Sequence, residues 1–147
     1  MKHLPGYSRR LAFIKDRTAA SAVEFAIVMP VFLIVLFGII AYGSYLAMVH
    51  GLQQLTAEAA RASIGGLSDG ERLSLATNDI DSNVGTYPLL TPDRLTVVSA
   101  ATDANTGTFT VTVKYDASNM FIFNMPQFVP APNPVVVRSA SIQRGGY

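Results

Sequence analysis

One carboxylate, Glu24, stands directly before a run of 25 residues, Phe25 to Val49, that contains no charged side chain. A carboxylate at the mouth of an apolar membrane helix is costly unless it reaches water or finds a cationic partner. Two kinds of chemistry fit this position. Glu24 pairs with a positive group, or it lies at the lipid headgroups near a helix N-terminus, where negative charge is favoured.

The residue types needed for catalysis are sparse in this chain. It has no cysteine and only two histidines, His3 and His50, both of which lie before or near the end of the apolar run. The segment Asp79–Gly85 has part of the acidic spacing of a calcium loop, but Leu90 stands where the bidentate glutamate belongs. We therefore expect no enzyme, no cofactor and no metal site, and we interpret Asp79–Gly85 as a solvated helix end.

The apolar run has the length of a membrane span. At about 1.5 Å per residue its 25 residues reach roughly 37 Å, more than the ~30 Å hydrocarbon core of a bilayer. The core of a secretory signal has only about 7–15 residues, so a retained transmembrane helix is the better interpretation. Charged residues make up 14% of the chain, against about 25% in soluble domains.

Charge is distributed unevenly around this span. Residues 1–23 carry five basic side chains and one acidic one, a net charge of +4, whereas residues 25–147 carry six basic and eight acidic ones, a net charge of −2. The positive-inside rule then predicts a cytoplasmic N-terminus, an extracytoplasmic C-terminal domain and a location in the cytoplasmic membrane. Because the basic residues serve topology, we expect no nucleic-acid partner.

The fold class that the periodicity predicts is an α+β membrane protein. We expect a basic leader over residues 1–19, one helix over 20–64 with its membrane part at about 25–49, and an extracytoplasmic domain over 65–147. Leu52, Leu55, Ala59 and Ala62 lie on one predicted helix face, and Gly65-Gly66 ends the helix. Ser68-Asp69-Gly70-Glu71 is typical of a capping box that opens a short helix reaching about Val84.

Strand periodicity begins at Leu95. There Leu95, Val97 and Ser99 alternate with their neighbours, and Phe109 to Tyr115 alternate in the same way. Asp103 to Gly107 is a predicted hairpin turn, and Val135 to Ile142 is a predicted third strand. The proline-rich stretch Pro126 to Pro134 is excluded from a central strand. We therefore predict a small three-stranded antiparallel sheet whose apolar face packs on the long helix.

Several residues in the span have predicted mechanical roles. Pro30 lacks the N–H group that would bond to the Ala26 carbonyl, so it should kink or loosen the helix. Tyr42, Tyr45 and His50 are interpreted as interface anchors at the outer end. Small residues that would permit close helix packing form a further predicted set: Gly38, Gly43, Ser44 and Ala47.

The segment from Ala19 to Pro30, with small residues, Glu24-Phe25 and an early proline, resembles type IV pilin-like subunits. It is most similar to the TadE-like minor pilins, or pseudopilins, of the tight-adherence (Tad) pilus system. Thr56 to Ala62 is similar to the helix that follows the membrane span in that family. The resemblance covers about residues 15–65 and implies a pilin-like fold with one long helix and a small sheet.

The resemblance also implies how the chain is processed and what it contacts. A prepilin peptidase would cut between Ala19 and Ala20, five residues before Glu24. The Glu24 carboxylate, with Phe25 next to it, would then pair with the new amine of a neighbouring subunit. The implied partners are that peptidase, other pilins and Tad assembly-platform proteins, with no small-molecule substrate. Ala19 departs from the pattern, because glycine usually precedes the cut.

Two other functions fit the same sequence. One is an unprocessed single-pass anchor protein of the cell envelope from the same superfamily. The other is a membrane-anchored binding module whose outer domain takes a small ligand. Cleavage of the leader separates the pilin from the unprocessed anchor, and ligand binding without any pilus partner would favour the module.

Overall fold

The computed structural model describes residues 17–126 and 130–143, with side chains from residue 19 onward. Most of the predicted basic leader and part of the proline-rich stretch therefore lie outside the described residues. The elements are α1 (Arg17–Ala62), α2 (Asp69–Asn83), β1 (Leu95–Asp103), β2 (Thr108–Asp116), α3 (Phe121–Asn124) and β3 (Val135–Gln143). The predicted long helix and three-stranded antiparallel sheet are confirmed.

The chain divides into two compact units, residues 1–40 and residues 41–147. The described part of the first unit is helical throughout, from Arg17 to Ile40. Its large apolar side chains are exposed, from Met29 at 37% to Ile27 at 68%, except for the half-buried Leu33. The second unit holds the rest of α1, the other helices and the sheet.

The sheet of the second unit has the order β1-β2-β3, with both pairs antiparallel. The predicted hairpin turn joins β1 to β2. Its Gly107 has φ +65° and donates a backbone hydrogen bond to the Asp103 carbonyl at 2.8 Å. Asp103 Oδ1 also accepts from the Asn105 N–H at 2.8 Å, so the turn satisfies its own polar groups.

The alternation predicted for β1 holds only in its first half. The register shifts between Val97 and Ser99, where a β-bulge places an extra residue opposite β2. Leu95 and Val97 are partly buried before the bulge, whereas Ala100 is partly buried after it and Ser99 is exposed. The prediction that Ser99 continues the face of Leu95 and Val97 was therefore wrong, because one inserted residue reverses the faces.

The core of the second unit lies between the sheet and the part of α1 that follows Ala41. Phe109, Val111, Val113 and Tyr115 of β2 are at most 1% exposed, and they cluster with Met48, Leu52, Leu55 and Ala59 of α1. The predicted face of α1 is confirmed except at its end. Ala62 is exposed and Ser63 is buried instead, because α1 ends at Ala62 and a 3-10 turn covers Ser63–Gly65.

The connection from α1 to α2 depends on a glycine. A Cβ on Gly66 would lie 2.7 Å from Arg72 Cγ and 2.8 Å from its backbone nitrogen, so only glycine allows this approach. Ser68 then caps α2 by accepting from the Glu71 N–H at 3.2 Å, and Glu71 Oε2 accepts from the Leu67 N–H at 2.8 Å. The predicted capping box is confirmed, with the return bond one residue earlier than usual.

Candidate functional site

The predicted cleavage junction and Glu24 lie on one uninterrupted helix. Ala19 and Ala20 are the third and fourth residues of α1, and Glu24 follows Ala20 by four residues. Residues four apart share a helix face, so an amine on Ala20 and the Glu24 carboxylate would lie on the same side. Glu24 and Phe25 are both exposed, and Glu24 forms no salt bridge among the described residues.

The helix dipole does not explain how the Glu24 carboxylate is stabilised. The described helix already includes Arg17, and its first turn holds no acidic residue. Glu24 therefore lies about two turns inside the helix, whereas the favourable effect on a carboxylate fades within the first turn. The interpretation that Glu24 is simply stabilised by the N-terminus loses its main physical support.

Pro30 lies inside α1, and the helix is continuous through it. The Ala26 carbonyl still lacks its usual donor because proline has no N–H group. The predicted loosening of the helix at this point stays a prediction.

The predicted small residues are open rather than packed. A Cβ added to Gly38 or Gly43 would meet no atom within 4 Å, and Ala47 is exposed. Gly43 and Ala47 are four residues apart and share a face, whereas Gly38 and Ala47 are nine positions apart, which is two and a half turns. In a regular helix Gly38 therefore lies on a different face from Gly43 and Ala47. Ser44 donates a hydrogen bond to the Ala41 carbonyl at 2.9 Å.

Two tyrosines expected at the membrane interface make contacts that the sequence did not indicate. The Tyr42 hydroxyl donates to the Pro130 carbonyl, and the Tyr45 hydroxyl donates to the Asn133 carbonyl at 3.1 Å. The Tyr45 ring also meets Phe123 edge to face, with centroids 6.2 Å apart. Both side chains therefore tie the proline-rich segment to α1.

A titratable cluster joins α1 to α2 within the second unit. The Tyr87 hydroxyl donates to Glu58 Oε2 at 2.9 Å, and Asn83 Nδ2 donates to Asp79 Oδ1 at 2.9 Å. Asp79 Oδ2 is buried and has no hydrogen-bond partner among the described residues. Burial raises the pKa of Asp79, and the nearby Glu58 raises it further.

We expect Asp79→Asn to stabilise the second unit near neutral pH by about 1 kcal/mol or less. A raised folded-state pKa means that the protonated form of Asp79 favours folding. That contribution is present below the ordinary aspartate pKa and is lost as pH rises through the raised value. The urea midpoint of the full chain in detergent should therefore rise with Asp79→Asn at neutral pH and match the parent in acid.

The matched control for this variant is Asp81→Asn, which changes an exposed carboxylate in the same helix and should leave the midpoint unchanged at both pH values. An Asp79→Asn gain of equal size in acid and at neutral pH would contradict the role given to ionisation.

The network around Arg72 was also missed by the sequence reasoning. Arg72 is 8% exposed, its Nη1 lies 3.3 Å from Asp69 Oδ1, and its guanidinium lies 5.9 Å from the Phe109 ring centroid. Thr102 Oγ1 donates to the same Asp69 oxygen at 2.5 Å. This hydrogen bond is the main reason that the pKa of Asp69 is lowered. No sequence spacing indicates that α2 and β1 meet here.

An open cleft on the second unit is lined by side chains of both charges. Its walls include Asp93, Arg94, Lys114 and Asp116. Arg94 Nη1 lies 3.8 Å from Asp116 Oδ2 and donates to Ser118 Oγ at 3.3 Å. The hydrogen bonds from Ser118 lower the pKa of Asp116. Because the charges of the cleft partly pair with one another, it does not specify one class of ligand.

One helix among the described residues is long and apolar enough to cross a membrane, by length and composition. Most of this helix also matches a known protein family. Residues 19–61 match the family model TadE, described as TadE-like protein. The predicted resemblance is thereby confirmed over this segment, which begins at Ala19 and includes Glu24 and Pro30. No curated protein and no solved structure matches the chain significantly.

Proposed function

We propose that this protein, which matches the TadE-like family over residues 19–61, is a minor pilin that takes part in assembling a Tad-type pilus. The TadE-like family implies involvement in Tad pilus systems, and it is a structural rather than an enzymatic family. The observation that carries the finer proposal is the position of Glu24. It is an exposed carboxylate four residues after Ala20, on a continuous helix whose following apolar side chains are also exposed.

The first proposed step is removal of the leader. A prepilin peptidase hydrolyses the peptide bond between Ala19 and Ala20, leaving a carboxylate on Ala19 and a new α-amine on Ala20. Cleavage removes five cationic side chains that would oppose close packing of neighbouring helices.

The second proposed step is pairing between subunits. The ordinary pKa of an α-amine is about 8, so the Ala20 amine is largely cationic at neutral pH. At about 4 Å and an effective dielectric of about 20, its attraction to Glu24 is roughly 4 kcal/mol. Desolvation offsets much of this gain, so the pair contributes mainly to register: a misplaced subunit leaves a buried charge without a partner.

The third proposed step is burial of the apolar helix surface. Ile27, Val31, Ile39 and other large side chains before Ala41 are more than half exposed in the single chain. Lipid covers them while the protein is anchored as a single-pass membrane protein with its N-terminus in the cytoplasm. In a filament, the helices of neighbouring subunits replace the lipid, and the open Gly43 and Ala47 face allows close approach.

An unprocessed envelope anchor is the second candidate function. The observation that favours it is Ala19, which stands where glycine usually precedes the cut. The test that separates the two is the N-terminal residue of the membrane-bound chain. A mature chain that begins at Ala20 supports the minor pilin, and a chain that keeps its leader beside an active peptidase supports the anchor.

A further inference from the structure

The strand β3 lies at an edge of the sheet, so one side of its backbone has no strand beside it. The Ala117 N–H donates to the Pro134 carbonyl at 2.8 Å, so the backbone groups of Pro134 face the side of β2. Successive residues of an antiparallel strand turn their N–H and C=O groups to alternate sides. The outward groups of β3, which we call the β3 edge, therefore belong to its odd-numbered residues: Val135, Val137, Ser139, Ser141 and Gln143.

An edge with this composition is a pairing site for another strand. Unpaired backbone groups accept a strand from a second chain, most readily where the side chains are uncharged and β-branched. The first three residues of β3 are valines, of which Val135 and Val137 are 43% and 47% exposed, and its one charged side chain is Arg138. A second copy of the chain offers the same strand, so it is the partner that this edge has to exclude.

The first part of the β3 edge is bonded to polar side chains from β3 itself or from just before it. The Val135 N–H donates to Asn133 Oδ1 at 2.8 Å. The Val137 carbonyl accepts from Arg138 Nη1 at 2.8 Å. Val135 and Val137 thus each have one of their two outward groups occupied, so an added strand would have to displace a bond at both positions.

The middle of the β3 edge is bonded to a side chain of α1. Gln53 Nε2 donates to the Ser139 carbonyl at 3.3 Å, and the two residues are 86 positions apart in sequence. The bonded part of the edge therefore runs from Val135 to Ser139, which is the first five of the nine residues of β3.

Arg138 opposes pairing in a second way. It is half-buried and lies opposite Val113 of β2, which is 0% exposed, so it is on the core face of the sheet. Arg138 forms no salt bridge among the described residues. A strand added beside β3 would cover more of the guanidinium, and burying a charge without a partner is costly. Inward-pointing charges on edge strands hinder strand addition for this reason.

We propose that Asn133, Arg138 and Gln53 close the β3 edge against strand pairing with a second copy of the chain. The other edge strand, β1, is interrupted by its bulge, which hinders pairing there. Neighbouring second units then meet through side-chain surfaces and do not extend one another's sheet. The proposal needs neither leader cleavage nor pilus assembly, so it stands or falls separately from the proposed function.

Cysteine cross-linking of the full chain in detergent tests this closure, because the chain contains no cysteine. Ser139→Cys places a thiol at an exposed position of β3, and Ala101→Cys places one at an exposed position of β1 as the reporter for the other edge. If two β3 strands pair antiparallel about Ser139, the opposite Cα atoms lie about 5.5 Å apart, within reach of a short bismaleimide.

The β3 edge is opened by combining Gln53→Ala with Arg138→Met. The matched control combines Gln54→Ala with Lys114→Met, which removes the same two residue types, neither of which bonds to β3 among the described residues. Urea midpoints from pulse proteolysis establish which variants are folded. Gln53→Ala alone, which leaves every residue of the sheet unchanged, takes the place of the double variant if that variant does not fold.

We expect little cross-linked dimer from Ser139→Cys in the parent and in the control. Opening the edge should increase this dimer about fivefold or more, since one lost hydrogen bond shifts an equilibrium by roughly that factor. The dimer from Ala101→Cys should not change. Equal amounts from Ser139→Cys with the edge closed and opened would overturn the proposal. An equal increase at both cysteines would overturn it too, because general association and not strand pairing would then be the cause.

Discussion

Replacing Glu24 with alanine should abolish piliation while leaving the protein in the membrane. The exposed apolar stretch that follows Glu24 is unchanged in the variant, so insertion should persist. The variant removes the only negative side chain between Arg17 and Val49, and with it the proposed partner of the Ala20 amine. The measurement compares surface pili by shearing and electron microscopy with the carbonate-resistant membrane fraction of the same cells.

Glu24→Gln is the informative companion to this variant. It keeps the shape and hydrogen-bonding capacity of the side chain and removes its charge, so it should also fail if pairing depends on charge. Asp81→Asn, which changes an exposed carboxylate of α2, controls for loss of any negative charge. Normal pili in Glu24→Ala or Glu24→Gln would rule out the pairing role and return Glu24 to a headgroup position.

Replacing Phe109 with alanine should destabilise the second unit by about 3–5 kcal/mol. Phe109 has 0% exposure at the central strand, packs in the core against α1 and carries the Arg72 guanidinium on its ring. The variant leaves a cavity between sheet and helix that the surroundings fill only in part. Small domains are stable by only about 5–15 kcal/mol, so the loss is a large share of the total. Pulse proteolysis of the full chain in detergent, across a urea series, measures it.

Val98→Ala is the matched control for the core variant. Val98 lies at the bulge of β1 and is 56% exposed, so truncating it should change stability by less than about 0.5 kcal/mol. Equal urea midpoints for Phe109→Ala and the parent would show that the core is not where the sheet meets α1. Failure of both variants to fold would point to damage at β1 and β2 rather than to loss of packing.

Much of the fold follows from local signals in the sequence. The capping box at Ser68, the turn at Gly107 and the alternation of β2 each depend on a few adjacent residues, and each is confirmed. The bulge after Val97 was not predicted, because an inserted residue leaves no distinctive composition in a short strand. The predicted helix face was also wrong at Ala62, because α1 ends there and the 3-10 turn that follows buries Ser63 instead.

In the candidate site, too, the sequence indicates some residues and gives no sign of others. Glu24 stands out by its charge, because a carboxylate at the edge of an apolar run is conspicuous in any sequence, and its pairing role stays a proposal. The bonds from Tyr42 and Tyr45 to the proline-rich segment could not be found in that way. They join residues 88 positions apart through backbone carbonyls, which carry no residue-specific signal. Asp79 beside Glu58 was likewise hidden, because only tertiary packing brings α1 and α2 together.

Processing at Ala19 and Ala20 is the central claim, and the intact mass and N-terminal sequence of the membrane-extracted protein test it most directly. The chain is expressed with and without the prepilin peptidase of its own system, beside Ala19→Gly, which restores the usual residue before the cut. We predict a mature chain that begins at Ala20 only when the peptidase is present, with Ala19→Gly cut at least as completely. A parent chain that keeps residues 1–19 while Ala19→Gly is cut would contradict the claim, because the Glu24 carboxylate would then have no Ala20 amine to pair with.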